Sequence, residues 1–225
     1  MSRTAVFVTT RNHPHRFVLD LIRQEASRTS GARVEVVESP YGPHIARNLS
    51  VASFLKGDDT HLLFVDDDVL VPAGVLVRLA DHDVDVVAGC VPALKHIGGY
   101  AVPYIAVRDG MKSPGTWSTS WFDGLRETTG VGAACLLIRR QVLERLDFPW
   151  FRWEQEWNGG HYTYHTEDLD FCDRVRSLGF RIYADGAVRC GHIKQVDVGA
   201  MIPSTAGTHK ITWNGPRIVE GATSH

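Results

Sequence analysis

HLLFVDDDVLVPAGVL, from His61 to Leu76, is the stretch on which the reading of the whole chain turns. It opens as an apolar run of strand length, closes that run on three consecutive carboxylates, Asp66, Asp67 and Asp68, and then places Pro72 where a helix can begin. Adjacent anions repel one another. A part-buried set of them without a counter-charge has raised pKa values or costs stability. The stretch therefore predicts a strand whose carboxyl end carries acids, with a positive group nearby to hold them.

Working outward on the N-terminal side, TAVFVTT (Thr4 to Thr10) reads as a short strand, and Arg16 to Ala26 follows with Phe17, Leu21 and Ala26 on one helical stripe. Ala32 to Ser39 alternates as a strand does, and His44 to Leu55 sets Ile45, Leu49, Ala52 and Leu55 along one helical face. Beyond the acids, Pro72 to Ala80 reads as a helix and Val84 to Cys90 as a fourth strand. This alternation predicts an α/β protein with a mostly parallel central sheet flanked by helices. From Pro92 to Thr129 the pattern dissolves into Gly, Pro, Ser and aromatic residues, an irregular excursion over one sheet edge with only short extended pieces.

Regularity returns with Gly130 to Ile138 as a strand and Arg139 to Leu146 as a short helix, then an aromatic loop from Phe148 to His165. In TEDLDFCDRVRSLG, Thr166 suits a helix N-cap, Glu167, Asp168 and Asp170 crowd the positive end of the dipole, and Gly179 suits the C-terminal stop. Phe180 to Gly186 is a last strand. Residues 1–193 are expected to form the one folded domain. Residues 194–225 show no period and are expected either to close as a lid or to stay disordered.

Composition limits the partners. The 225 residues, 44% hydrophobic, suffice for one large domain, and 24 basic against 26 acidic residues leave a charge of −2. No global positive field draws the protein to nucleic acid or to anionic membrane, although a local basic groove remains open. Cys90, Cys135, Cys172 and Cys190 are far apart, lack CxxC spacing and read as reduced core residues of a cytoplasmic protein. MSRTAVFVTTRNHP lacks a long apolar segment and cleavage site, and no run approaches ~18 apolar residues, so no membrane insertion is expected.

Two constellations can carry chemistry. In open α/β sheets, ligands bind beyond the carboxyl ends of the strands, where Asp66 to Asp68 are placed. Carboxylates there suit a hard divalent cation that keeps positions for phosphate oxygens; the plainer alternative is a solvated acidic turn. The second is Glu167 and Asp168 at a helix start, with His192 following a strand. Its plainer alternative is acids serving the helix dipole, at ~0.3–1 kcal/mol each, beside an ordinary surface histidine.

The order VTTRN, ES, ARN, VDDDV, TGVGAACLLIRR, TEDLDFCDRVRSLG and GHI, spread from Val6 to His192, resembles the family 2 glycosyltransferases of the GT-A fold. The resemblance implies a Rossmann-like GT-A domain that uses a nucleotide-diphosphate sugar, a UDP-sugar first, and a divalent metal, Mn²⁺ or Mg²⁺. It places Thr9, Thr10 and Arg11 on the nucleotide, Glu38 on the base or ribose, and Arg47 on the donor side. Asp66 would face ribose or metal. Asp68 and His192 would be metal ligands, and Asp67 would belong to the donor side while pointing the other way along an extended chain. Asp168 would be the general base of an inverting enzyme with Glu167 beside it. Trp153, Trp157 and Gly160 in the aromatic segment would meet the acceptor. Apart from the resemblance, Lys95 and His96 after the fourth strand are weaker candidates for donor phosphate against the plainer alternative of a solvated loop, and Lys194, His209, Lys210 and Trp213 lie in the tail that would close as a lid or stay disordered.

Departures also inform. FRW precedes the acidic helix, and Pro149 stands three before Arg152, so the QxxRW motif of processive synthases is missing and polymer synthesis is discounted. The rivals are a sugar-nucleotidyltransferase, disfavoured because TTRNHPH lacks a glycine-rich loop, and a non-catalytic nucleotide-sugar-binding module. The acceptor is left open among saccharides, small molecules, proteins and modified DNA such as the hydroxymethylated bases that stand-alone bacteriophage enzymes glycosylate.

Overall fold

Every residue of the first strand, β1 (Thr4–Thr10), is buried, as a strand covered on both faces requires. In the computed structural model, which describes residues 3–97, 100–109, 116–159 and 161–194, the chain continues as α1 (Arg16–Arg28), β2 (Arg33–Glu38), α2 (Pro43–Lys56), β3 (His61–Asp66), β4 (Val69–Leu70), α3 (Val75–Asp81) and β5 (Val86–Cys90). Then come β6 (Pro92–Ile97), β7 (Tyr100–Asp109), β8 (Thr116–Ser118), β9 (Leu125–Thr128), β10 (Gly130–Val131), β11 (Cys135–Arg139) and α4 (Arg140–Arg145). The last elements are β12 (Glu154–Asn158), β13 (His161–His165), α5 (Glu167–Ser177), β14 (Ile182–Arg189) and β15 (Gly191–His192).

The main sheet has seven strands in the order β2-β1-β3-β11-β5-β14-β9. β2, β1, β3, β5 and β14 share one direction, while β11 and β9 run against their neighbours, so the sheet is mixed with a parallel majority. Side-chain alternation along the strands feeds two cores. Phe7, Phe64 and Leu136 pack with Val51 and Phe54 of α2 and Phe171 and Val175 of α5. Val6, Val8, Leu63 and Val65 pack with Val18 and Ile22 of α1 and Leu76 and Leu79 of α3. Helices α2 and α5 therefore share one face. This brings their polar residues within reach of each other.

The excursion is more ordered than its composition suggested. β6 and β7 pair from Pro92–Ile105 to Ile97–Tyr100, β8 and β10 flank β7, and β9 joins the main sheet. The aromatic segment contains the hairpin β12–β13, with Glu154 opposite His165. Gly, Pro and clustered aromatics interrupt the two-residue alternation in these short strands, which leaves no clean period to read. The helix expected from Pro72 starts at Val75, because Gly74 adopts φ +77°, outside the helical region. All four cysteines are free and buried. Among the described residues no helix is long and apolar enough to cross a membrane. The chain divides into units Met1–Ile193 and Lys194–His225; every element above belongs to the first, and residues 195–225 lie outside the described residues.

Candidate functional site

At the carboxyl edge of the sheet, register places Thr9 beside Asp66 and Thr10 beside Glu38. The three consecutive aspartates find three different partners there. Asp66 Oδ1 accepts from Arg47 Nη2 at 2.8 Å and from Thr9 Oγ1 at 3.0 Å. Asp67, in the turn that follows β3, accepts from the Thr10 hydroxyl. Asp68 Oδ1 stands 3.1 Å from His192 Nε2. Burial pushes the Asp67 carboxyl above its usual range and the neighbouring acids add to this, against the Thr10 hydrogen bond.

His192 reaches the acids from 124 positions away because β15 pairs with β4, Gly191 with Leu70 and His192 with Val69. The Ile193 amide then donates to the Asp68 carbonyl at 2.8 Å, which pins the segment. On the other ring edge, His192 Nδ1 lies 2.6 Å from the Pro92 carbonyl. A carbonyl oxygen only accepts, so Nδ1 carries a proton, and Nε2 is the ring atom turned to Asp68, donating to its carboxylate when protonated and able to ligate a metal when not. A ring oriented from behind by a carbonyl is the usual support of a metal-binding histidine. The separation also fits, since adjacent corners of an octahedron with bonds of ~2.1 Å are about 3 Å apart.

Asp66 is not part of that pair. Among the described residues no group of three or more His, Cys, Asp or Glu gathers in a metal-holding arrangement, and Asp66 is turned to another partner. The physical reason is Arg47. Arg47 is only 3% exposed, and its guanidinium takes one Asp66 oxygen and bonds Oε1 of Glu167 with its other terminal nitrogen. Burial lowers the Arg47 pKa, but the carboxylates of Asp66, Glu167 and Asp168 outweigh it and leave the value raised, so the group stays charged. Arg47 is the cation that the acid run required.

The two acids of α5 are used differently. Glu167 is buried and commits both oxygens, one to Arg47 and the other to the indole N–H of Trp153. Asp168 receives the Thr166 hydroxyl and the Leu169 amide, at 2.9 Å for the amide, both on Oδ1. Thr166 does occupy the N-cap position, yet its hydroxyl makes no capping bond and instead orients Asp168. Oδ2 lies alongside Gly132, where a Cβ would sit 3.7 Å from it and 2.9 Å from the Ala106 Cβ. Burial raises the Asp168 pKa and Glu167 adds to this, opposed by Thr166 and Arg47. A carboxylate held by one oxygen, with its proton affinity raised, is equipped to take a proton at the other.

The remaining candidates spread around this centre. Arg11 and Glu38 are exposed at the ends of β1 and β2, with His13 Nδ1 3.9 Å from Glu38. Trp153 and Trp157 are 45% and 69% exposed, and Gly160 lies outside the described residues, as do His209, Lys210 and Trp213. Lys95 and His96 fall on β6. A cavity of about 510 Å³ opens beside Trp153, between His44, Ile45 and Leu49 of α2 and Phe148 and Pro149. Sequence reasoning missed the Pro92 carbonyl and the link from Trp153 to Glu167. No local signal announces a backbone acceptor or an indole donor.

Residues 1–204 match the family model described as "Glycosyltransferase like family 2". No curated protein sequence matches the chain. Among solved structures, A197 from STIV aligns over 86% of each chain with a TM-score of 0.60 and 20% identity. The structure of GalNAc-T7 with UDP, GalNAc and Mn²⁺ aligns over 87% of this chain and 44% of that one, with a TM-score of 0.52 and 12% identity. These likenesses show a shared GT-A fold. With the family model spanning nearly the whole chain and the acidic motifs meeting in one place, the protein belongs to the glycosyltransferase family 2-like enzymes and is a glycosyltransferase.

Proposed function

We propose that this glycosyltransferase moves a sugar from a nucleoside-diphosphate donor, UDP-sugar first, to an acceptor hydroxyl, with inversion at the anomeric carbon and with a divalent metal. The observation that carries the reading is the buried guanidinium of Arg47, which bonds both Asp66 of the acid run and Glu167 of the α5 pair. The two acidic motifs thus form one site. The neighbour solved with UDP and Mn²⁺ supports the donor and metal class.

In this mechanism Asp68 and His192 would hold Mn²⁺ or Mg²⁺, whose charge stabilises the diphosphate as it leaves. Thr9, Thr10, Arg11, Glu38 and Asp67 line the nucleotide side, and Arg47 keeps Asp66 oriented toward it. Asp168 Oδ2 takes the proton of the acceptor hydroxyl as that oxygen attacks the anomeric carbon; the carbon–oxygen bond to the β-phosphate breaks and its electrons leave with the diphosphate. Glu167 touches neither reactant in this scheme and acts as the anchor of Arg47. Trp153 and Trp157 offer apolar faces for the acceptor, a saccharide or a hydroxymethylated base of phage DNA. The four free thiols support a cytoplasmic setting.

The test is a donor panel assayed with and without Mn²⁺. Metal-dependent release of UDP from a UDP-sugar, lost in the Asp168→Asn variant, is the expected result. Metal-dependent binding without turnover would favour a binding module, and pyrophosphate-dependent exchange would favour a nucleotidyltransferase.

A further inference from the structure

Trp153 stands immediately before β12, half exposed, where an acceptor contact was expected. Its indole N–H is already engaged, donating to Oε2 of Glu167. Oε1 of the same carboxylate takes Nη1 of Arg47, and Nη2 of that arginine binds Asp66, which Thr9 also holds. Four side chains from separate parts of the chain therefore make one line. It runs from the segment opening the β12–β13 hairpin, through α5 and α2, to the carboxyl end of β3.

The two middle members leave little slack, with side chains only 4% and 8% exposed for Arg47 and Glu167. Buried carboxylate oxygens settle where both are satisfied. Arg47 Nε is buried and has no hydrogen-bond partner among the described residues. A guanidinium beside a carboxylate favours two parallel N–H···O bonds over one. The Trp153 N–H biases Glu167 against that arrangement by drawing Oε2 toward the indole. With the indole N–H gone, Oε2 is open to a second bond from Arg47, and a forked pair on Glu167 competes with the bond to Asp66.

We propose that Trp153 is a positioning residue for the donor side: its N–H keeps Glu167 singly bonded to Arg47, so that Arg47 holds Asp66. The inference rests on the glycosyltransferase reading of the site and extends it. Placement of the acceptor-side hairpin and affinity for the donor become linked, each favouring the other, as any coupling between two sites requires.

Trp153→Phe removes the N–H and keeps a ring, whereas Trp153→His keeps a ring donor. Calorimetric titration with UDP and Mn²⁺, without acceptor, should show affinity about tenfold weaker for the Phe variant, the effect of one charge-assisted hydrogen bond, with partial recovery in the His variant. Unchanged UDP affinity in Trp153→Phe, with any defect confined to the acceptor KM, overturns the proposal. A ligand-free measurement stands beside it: urea unfolding of Trp153→Phe, Asp66→Asn and the double variant. The two positions are joined through Glu167 and Arg47, so their stability changes should be non-additive, and additivity also overturns the relay. Wild-type protein that binds no UDP with Mn²⁺ would defeat the functional reading alone, and the unfolding cycle would then decide the relay.

Discussion

Replacing Asp168 by Asn separates chemistry from folding more cleanly than any other change in this site. Asn retains an oxygen to accept from the Thr166 hydroxyl and the Leu169 amide, so the side chain keeps its place, but its amide nitrogen beside Gly132 cannot take a proton. Transfer should fall by ~10²-fold or more, the usual contribution of a general base. Stability should move the other way. The folded-state pKa of Asp168 is raised, chiefly by burial, so its favourable contribution is present below the unfolded value and is lost as pH rises through the folded one. Wherever Asp168 is ionised in the folded chain it is a buried charge that the variant lacks. The variant should melt no lower than wild type at pH 7, with a gain of ~1 kcal/mol reading as about 2–4 °C, and the difference should close below pH ~4. In wild type, kcat/KM should rise with pH through an apparent pKa above the ordinary aspartate value, a limb absent from the variant. Single-turnover rates and melting curves on the same preparations supply both numbers. An acid that merely serves the helix dipole gives the opposite pair, ~1 kcal/mol less stable with normal turnover, and that outcome would refute the assignment.

Asp68→Ala or His192→Ala should weaken Mn²⁺ binding by at least ~10-fold, measured by titration, while the metal-free melting point barely moves; unaltered affinity in both variants would exclude the pair as ligands. Arg47→Ala strands Asp66 and Glu167 without their cation and should cost ~3–5 kcal/mol in urea unfolding. The exposed Arg11→Ala should instead leave stability unchanged and weaken donor binding by ~1.5–3 kcal/mol, and an effect on the acceptor alone would move Arg11 across the site. Gly132→Ala forces a methyl to 2.9 Å from the Ala106 Cβ, so it should lose ~1–3 kcal/mol of stability and slow transfer by shifting the strand beside Asp168; a fully stable, fully active variant would contradict that packing.

Much of the framework is legible one segment at a time. The βαβα alternation through Cys90, the acids at the end of β3 and the acidic start of α5 each follow from spacing within about a dozen residues, and each is where the sequence places it. The small sheet built from β6, β7, β8 and β10 and the hairpin β12–β13 were not legible, because Gly, Pro and clustered aromatics blur the two-residue period and pairing partners cannot be read from one strand. Thr166 illustrates the middle ground. Its position as N-cap is a local property, but the orientation of its hydroxyl toward Asp168 depends on the side chain two residues on and what surrounds it.

By itself, the sequence determined that three adjacent carboxylates would close a buried strand and would need a cation, since repulsion and desolvation act on any such run wherever it folds. Only the tertiary structure decided which cation and which carboxylate. Arg47 lies 19 positions from Asp66 and 120 from Glu167, and it meets both because α2 and α5 pack on one face of the sheet. That same meeting draws Asp66 to the arginine and leaves Asp68, on the turn beyond, to the histidine that β15 delivers. Charge demands a partner, but the choice among partners belongs to strand register and helix packing, which bring together side chains that no local spacing relates.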